Sequence, residues 1–165
     1  MFTLDYLMIF KNTPPELATF LVAMLPIAEL RGAIPVGLVG FDLPIWVVYI
    51  IAVTGNLIPA FFLLLYLHPV AKWLRSRSNF FDRFFSWLFK RTRHRFSARA
   101  EKYGVFISLV TFVAIPLPIT GAWTGSVAAY LFGIPFKRSM AAITIGVLIA
   151  GLIVTVTTVG LSAIF

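Results

Sequence analysis

The sequence lacks cysteine altogether and has few acidic residues, and each absence excludes a class of protein. Its 165 residues include no Cys, and six Asp and Glu residues stand against fourteen Lys and Arg residues. Without cysteine there is no disulfide framework, no thiolate metal site and no catalytic thiol. The two histidines, His68 and His94, are too few for a metal cluster. We therefore expect neither a metal nor another cofactor.

Charge of either sign is scarce, and long apolar runs take its place. Hydrophobic residues make up 60% of the chain, charged residues 12%, and the mean hydropathy is +0.95. A soluble domain is about half apolar and about a quarter charged. A soluble domain of this size could not bury so much apolar surface. The composition predicts an all-α integral membrane protein whose main partner is the lipid bilayer.

The net positive charge comes from one segment. Residues 69–103 hold ten basic and two acidic side chains, which account for the whole net charge of +8. Such a run can indicate nucleic-acid binding. Between membrane segments, however, it is typical of the positive-inside rule. We expect residues 69–103 to be cytoplasmic, the protein to lie in a prokaryotic inner membrane, and no nucleic acid to bind.

Within the basic segment, residues 79–96 mix aromatic and basic side chains. Phe81, Phe84, Phe85 and Leu88 share one helical face, and the polar residues lie mostly away from it. This pattern predicts an amphipathic helix at the inner membrane interface, between the two halves of the chain. Packing against a partner helix is the alternative.

Four apolar stretches follow one another along the chain: residues 17–41, 45–67, 104–136 and 139–165. The second and fourth are typical of plain spans, since 23 residues of helix reach about 35 Å across a core of about 30 Å. The first and third contain residues that break helices. These hairpin-breaking residues are Pro26, Pro35, Pro116, Pro118 and Gly121.

The interrupted stretches predict re-entrant helical hairpins. Proline removes a helical hydrogen bond, and in lipid the freed backbone groups must find partners in protein or water. If residues 104–136 enter and leave on one side, Lys137 and Arg138 stay on the cytoplasmic side, as the positive-inside rule prefers. Two short full crossings remain the alternative.

The two halves of the chain resemble each other. Leu25-Pro26-Ile27 resembles Leu117-Pro118-Ile119 at an offset of 92 residues. Gly40 and Pro44 resemble Gly133 and Pro135, and Gly55 resembles Gly146, so that all offsets lie between 91 and 93 residues. We therefore predict one membrane domain, residues 1–165, built as an inverted repeat. Its parts are a hairpin and span in residues 17–67, the basic segment 69–103, and a hairpin and span in residues 104–165. In secondary transporters the site lies where such broken elements meet.

Glu29 and Arg31 are the main candidates for a functional site. A charge at the centre of a span costs about 2.5–3.5 kcal/mol, so two of them need a compensating role. They cannot pair on a regular helix, but an unwound turn would let both line one cavity. Arg31 would then bind a phosphate or carboxylate, and Glu29 would take up and release a proton. The alternative is a buried ion pair that holds the hairpin together.

A second set of candidates lies in the third stretch and mid-span. Thr120, Trp123 and Thr124 offer hydroxyl and indole groups beside a predicted helix break, which suits a substrate or ion site. A tight helix contact at Gly121 and Gly125 is the alternative. Asn56 is either an interhelical hydrogen bond or a substrate contact.

Two strings carry a family resemblance. Pro26-Ile27-Ala28-Glu29-Leu30-Arg31-Gly32-Ala33-Ile34-Pro35 resembles the first motif of the small multidrug export protein family. Pro116-Leu117-Pro118-Ile119-Thr120-Gly121-Ala122-Trp123-Thr124-Gly125 resembles its second motif, with Ile119 at a position where the family usually has glycine. The resemblance covers residues 17–165. It implies a distant relationship to the DedA-type membrane proteins, which share paired re-entrant hairpins and are linked to the movement of lipid phosphates.

These observations predict a membrane transporter. We expect proton or ion coupling and an anionic, amphipathic or lipid-phosphate-type substrate. The alternative is a structural or assembly factor that lies in the membrane and recruits partners through its basic segment. An enzyme is not expected, because the apolar stretches lack a nucleophile–base pair. Two small halves make a thin transporter, which leaves room for a homodimer.

Overall fold

A computed structural model describes residues 13–77, 86, 90, 104–116 and 120–162; for residues 68–77 it describes the backbone alone. The described residues are helical and contain no strand, as the composition predicts. The helices, in chain order, are α1 (Pro15–Met24), α2 (Glu29–Pro35), α3 (Ile45–Arg77), α4 (Val105–Ala114), α5 (Ala122–Leu131) and α6 (Phe136–Ser162). Residues 1–58 with 147–165 form one compact unit, and residues 59–146 form another.

In the first unit, α1 and α2 form a broken pair of helices. Leu25 ends α1 in an extended conformation (φ −71°, ψ 135°), because the residue before a proline is disfavoured in helical geometry and Pro26 follows. A Cβ atom added at Gly32 would lie 3.6 Å from Val22, and one added at Gly37 would lie 3.1 Å from Thr19. The later glycine, Gly37, thus faces the earlier residue of α1, Thr19, so the segment 32–37 runs antiparallel to α1.

Pro35 was predicted to break the helix, but the helical path continues through it. It is the last residue of α2, and the helical path continues as a π-helical turn over Val36–Gly40. Proline has no N–H and its ring crowds the preceding turn. The turn that follows Pro35 is wider than an α-helical turn, since the N–H of Phe41 donates to the carbonyl oxygen of Val36 over 3.0 Å, five residues back. The break lies at residues 25–28 instead.

In the second unit, α4 and α5 contact each other in a similar way. Ile115 ends α4 in an extended conformation (ψ 113°), and Pro116 follows. Gly121 is the last residue before α5. Pro116 and Gly121 therefore flank the break as predicted, whereas Pro118 lies outside the described residues.

The first helices of the two units match in length and in buried positions. Each has ten residues, and α4 starts 90 residues after α1. At that offset the buried positions coincide: Ala18 with Ser108, Thr19 with Leu109, Val22 with Phe112, and Ala23 with Val113. Pro26 therefore corresponds to Pro116. The sequence match paired Pro26 with Pro118 instead, at an offset of 92 residues.

The two long helices contain the stretches that can cross a membrane, Ile45–Leu67 and Phe136–Leu161. The first matches the predicted span, and α3 continues beyond it to Arg77, so the basic segment begins as helix. The second begins three residues before the predicted Ser139, since Phe136, Lys137 and Arg138 belong to α6. Of the predicted interfacial helix 79–96, the structure describes Ser86 and Lys90, both helical and exposed.

Glycine lets each long helix approach the short helix beside it. A Cβ atom added at Gly55 would lie 2.8 Å from the carbonyl oxygen of Phe20. A Cβ atom added at Gly146 would lie 2.9 Å from the carbonyl oxygen of Val110. Both glycines are the eleventh residue of their helix. Each position excludes a side chain because the backbone it faces cannot move aside.

Candidate functional site

Glu29 begins α2 in an unusual backbone conformation. Its φ is +47°, in the left-handed region, which residues other than glycine adopt uncommonly. Such a residue costs of order 1–3 kcal/mol and is typical of functional sites. Its N–H donates to the carbonyl oxygen of Leu25 over 3.0 Å. At Glu29 the chain therefore adopts an irregular turn, which is the condition predicted for Glu29 and Arg31 to lie close together.

The turn brings the carboxylate of Glu29 and the guanidinium of Arg31 together. Arg31 Nη2 lies 3.6 Å from Glu29 Oε2. The Glu29 side chain is 6% exposed, whereas the Arg31 side chain is 27% exposed. A buried carboxylate needs a cation beside it. A guanidinium carries five N–H donors in a planar fork, a geometry that suits contact with a carboxylate and with an anionic ligand.

Asn56 lies in the same unit, on the buried face of α3. It is 1% exposed. Its Oδ1 atom has no hydrogen-bond partner within the described part of the chain. Asn56 is the twelfth residue of α3, and the twelfth residue of α6 is Val147, which is fully buried. The matching position of the other long helix therefore holds an apolar side chain.

Thr120 and Thr124 lie at the break between α4 and α5. The hydroxyl of Thr120 is buried and donates to the carbonyl oxygen of Ile115 over 2.8 Å. The hydroxyl of Thr124 donates to the carbonyl oxygen of Gly121 over 3.4 Å. The Thr120 hydroxyl thus satisfies a carbonyl group at the break, as a helix interruption in lipid requires, whereas the carbonyl oxygen of Gly121 also accepts from the N–H of Gly125 over 2.8 Å. This geometry accounts for the two threonines structurally, beside the predicted role in binding.

Trp123 lies in the second unit, on a groove of about 260 Å³. The groove is lined almost entirely by carbon atoms of Pro59, Phe62, Leu63, Tyr66, Leu67 and Trp123. The rings of Phe62 and Tyr66 stack with centroids 6.4 Å apart and planes 15° apart. Sequence reasoning missed these two aromatic residues, although their spacing of four residues on a predicted helix was a usable signal.

Ser108 is a second residue that sequence reasoning missed. It is fully buried on α4, and its hydroxyl oxygen has no hydrogen-bond partner among the described residues. At the offset of 90 residues it matches Ala18. The signal in the sequence was one of two hydroxyl residues, Ser108 and Thr111, in an otherwise apolar helix, which is too common to stand out.

The candidate residues are distributed over the two units. Glu29, Arg31 and Asn56 belong to the first unit, and Glu29 and Arg31 are in contact. Thr120, Trp123 and Thr124 belong to the second unit. No group of His, Asp and Glu side chains within the described ranges could hold a metal ion.

Comparison with known proteins identifies a family. Searches of the curated proteins and of the solved structures found no match. A family model matches residues 29–153, about three quarters of the chain. The match contains every candidate binding residue, from Glu29 to Thr124. The two apolar helices and this match indicate a membrane protein. The chain belongs to the family described as "Putative small multi-drug export protein".

Proposed function

We propose that this chain is a membrane transporter that moves an amphipathic or lipid-phosphate-type solute, coupled to a proton or another ion. The observation that carries the proposal is the contact between the buried carboxylate of Glu29 and the partly exposed guanidinium of Arg31. The family description, which names export, supports the transport class. The lipid-phosphate part rests on the distant relationship to the DedA-type proteins that the motif resemblance implies.

The geometry of the pair supports a coupling mechanism. An anionic group that binds Arg31 draws the guanidinium away from Glu29 or shares its charge. The carboxylate is buried, and a buried carboxylate without a cation is unfavourable, so it neutralises by taking up a proton. When the anion leaves, Glu29 releases the proton and pairs with Arg31 again. Binding of the anion and binding of the proton therefore favour each other.

We propose that each pair of short helices is re-entrant. Ten residues of helix, the length of α1 and of α4, reach about 15 Å, which is half of a hydrocarbon core of about 30 Å. Helices of this length cannot cross the core, but they can enter and return near its middle. The break at residues 25–28 and the Glu29–Arg31 pair would then lie close to the membrane midplane, where transporter sites are found.

We also propose that the two halves form an inverted repeat. Its support is the shared order of short helix, X-Pro break, second helix and long helix, with matching glycine contacts at Gly55 and Gly146. The links before the long helices match as well, since Asp42 and Gly133 both have a left-handed backbone (φ +52° and +59°), 91 residues apart. Two like units in opposite orientations supply alternating access in many transporters.

The test is transport by the purified protein in sealed vesicles. The interior holds a pH-sensitive dye, and the probes are fluorescent phosphatidylglycerol for a lipid phosphate and ethidium for an amphipathic solute. We expect a probe to drive proton movement in the wild type. Glu29→Gln should abolish the proton movement, and Arg31→Ala should abolish the response to the anionic probe. The matched control is Gly160→Ala, since nothing lies within 4 Å of a Cβ atom added there.

The alternative function gives a different result in the same assay. A structural or assembly factor would show no probe-driven proton movement, and its partners would be indifferent to both substitutions. Wild-type flux in Glu29→Gln and Arg31→Ala would show that the assigned roles are wrong. Movement of the fluorescent lipid or of ethidium without protons would retain transport and exclude proton coupling.

A further inference from the structure

The groove on the second half of α3 has the dimensions of a single hydrocarbon chain. It extends from Pro59 to Leu67, which is about 12 Å along a helix axis. Its volume of about 260 Å³ divided by that length gives a cross-section of about 20 Å². One hydrocarbon chain fills such a section. An α-helix, with a diameter of 10–12 Å, is much wider than such a section.

The groove also lies at the correct depth for a lipid chain. Leu67 ends the stretch that can cross a membrane, so the groove occupies the last third of the hydrocarbon core on that side. Its lining offers ring faces and aliphatic carbons, and Phe62 and Tyr66 are 53% and 56% exposed. Tyr and Trp are typical of the boundary between the core and the headgroups.

Beyond the groove, the same helix becomes basic. Residues 68–77 contain Lys72, Arg75 and Arg77 and no acidic residue. Each basic residue near a membrane surface attracts anionic lipid by about 1 kcal/mol. The apolar groove is therefore continuous, along one helix, with a site for negative charge.

We infer that this groove binds one acyl chain of an anionic phospholipid, and that the basic end of α3 holds the phosphate of its headgroup. The acyl chain contacts Trp123 and the stacked rings of Phe62 and Tyr66. The inference does not depend on transport, because it concerns a lipid that binds at α3 whether or not the Glu29–Arg31 pair moves a solute. The basic end of α3 accounts for the selectivity for anionic lipid, and the shape of the groove accounts for the position of the acyl chain.

Quenching of tryptophan fluorescence by brominated lipids tests the inference. The chain has four Trp residues, and replacing Trp46, Trp73 and Trp87 with Phe leaves Trp123 as the single reporter. The protein is placed in phosphatidylcholine vesicles with a minor fraction of phosphatidylglycerol. The bromine is carried by the acyl chains of one lipid or of the other, at the same mole fraction. We expect brominated phosphatidylglycerol to quench Trp123 at least about fivefold more effectively, the ratio that 1 kcal/mol gives.

Two sets of variants separate the groove from the basic end. Lys72→Gln with Arg75→Gln and Arg77→Gln should remove the preference for phosphatidylglycerol and leave quenching by phosphatidylcholine unchanged. Leu63→Phe should fill the groove and reduce quenching by both lipids. Its matched control is Leu65→Phe on the same helix, which is 43% exposed and does not line the groove. In Leu65→Phe, the brominated lipids should quench Trp123 as strongly as in the single-tryptophan protein without this substitution.

Three results would overturn the inference. Equal quenching by the two brominated lipids would mean ordinary contact with the bilayer. Absence of quenching would mean that another surface, from a second copy or a different protein, covers the groove. A preference that survives the three Gln substitutions would exclude the basic end of α3 as the headgroup site.

Discussion

The guanidinium of Arg31 lies 3.6 Å from the carboxylate of Glu29, although a single residue separates them in the sequence. On a regular helix such residues point about 200° apart. The left-handed backbone of Glu29 (φ +47°) places the carboxylate before the first regular turn of α2 and so allows the contact. The strained backbone at Glu29 and the ion pair with Arg31 therefore belong together, because the backbone conformation allows the contact.

Removal of the two charges should have unequal effects on stability. Arg31→Ala leaves a buried carboxylate without this partner, which should lower the free energy of unfolding by about 3 kcal/mol. Glu29→Gln leaves a guanidinium that is already 27% exposed, so the loss should be about 1 kcal/mol. Thermal unfolding of the detergent-solubilised protein, followed by circular dichroism, measures both. The double variant should be more stable than Arg31→Ala alone, and equal losses in the two single variants would contradict the burial asymmetry.

Glycine should be favourable at position 42. Asp42 has φ +52°, and its counterpart Gly133 has φ +59°. Glycine adopts this conformation without steric strain, so Asp42→Gly should raise the stability by up to about 1 kcal/mol. The reverse test is Gly133→Val, which should destabilise because β-branched residues are disfavoured at positive φ. Destabilisation by Asp42→Gly would mean that the carboxylate itself stabilises the link.

The close approach at Gly55 should tolerate no side chain. In Gly55→Ala the new Cβ atom would meet the carbonyl oxygen of Phe20 at 2.8 Å, and overpacking of this kind costs about 1–3 kcal/mol. Gly146→Ala should behave alike against Val110. Gly160→Ala is the matched control, since its Cβ atom would meet open space. The measurement is the midpoint of thermal unfolding, and three equal midpoints would show that neither contact is tight.

Asn56→Val should stabilise the protein and impair its activity. The buried Oδ1 atom has no partner among the residues described, and an unsatisfied buried acceptor costs about 1–3 kcal/mol. Valine already fills the matching position, 147. Thr54→Val, two residues away, is the control, because the exposed Thr54 hydroxyl bonds back to its own helix at Ile50. A loss of stability in Asn56→Val would identify the amide as an interhelical hydrogen bond.

The proposed topology predicts that positions 42 and 137 face opposite sides of the membrane. Asp42 and Lys137 are both exposed, and the sequence contains no cysteine. Asp42→Cys should react with a membrane-impermeant maleimide from outside intact cells, and Lys137→Cys should react only after the cells are opened. Labelling of both from the same side would exclude the inverted arrangement of re-entrant pairs.

The sequence by itself determined the solvent, the spans and the main breaks. Apolar composition and run length decide partition into lipid, so Ile45–Leu67 was predicted with its bounds. Pro26 and Pro116 mark the two breaks because proline and the residue before it restrict the local backbone. The charges at positions 29 and 31 were visible as candidates for the same reason, since charge is rare in apolar stretches. All of these are properties of neighbouring residues.

Tertiary structure decided what depends on packing between distant residues. Pro35 lies within a helix and a π-helical turn follows it, whereas Pro26 follows the end of α1, and no local rule distinguishes the two prolines. The offset of 90 residues between α1 and α4 follows from their buried positions, whereas the match of short strings pairs Pro26 with Pro118 at an offset of 92. The groove exists because Trp123 packs beside residues 59–67. Periodicity in one sequence states which face of a helix is buried, and only the folded chain states what that face meets.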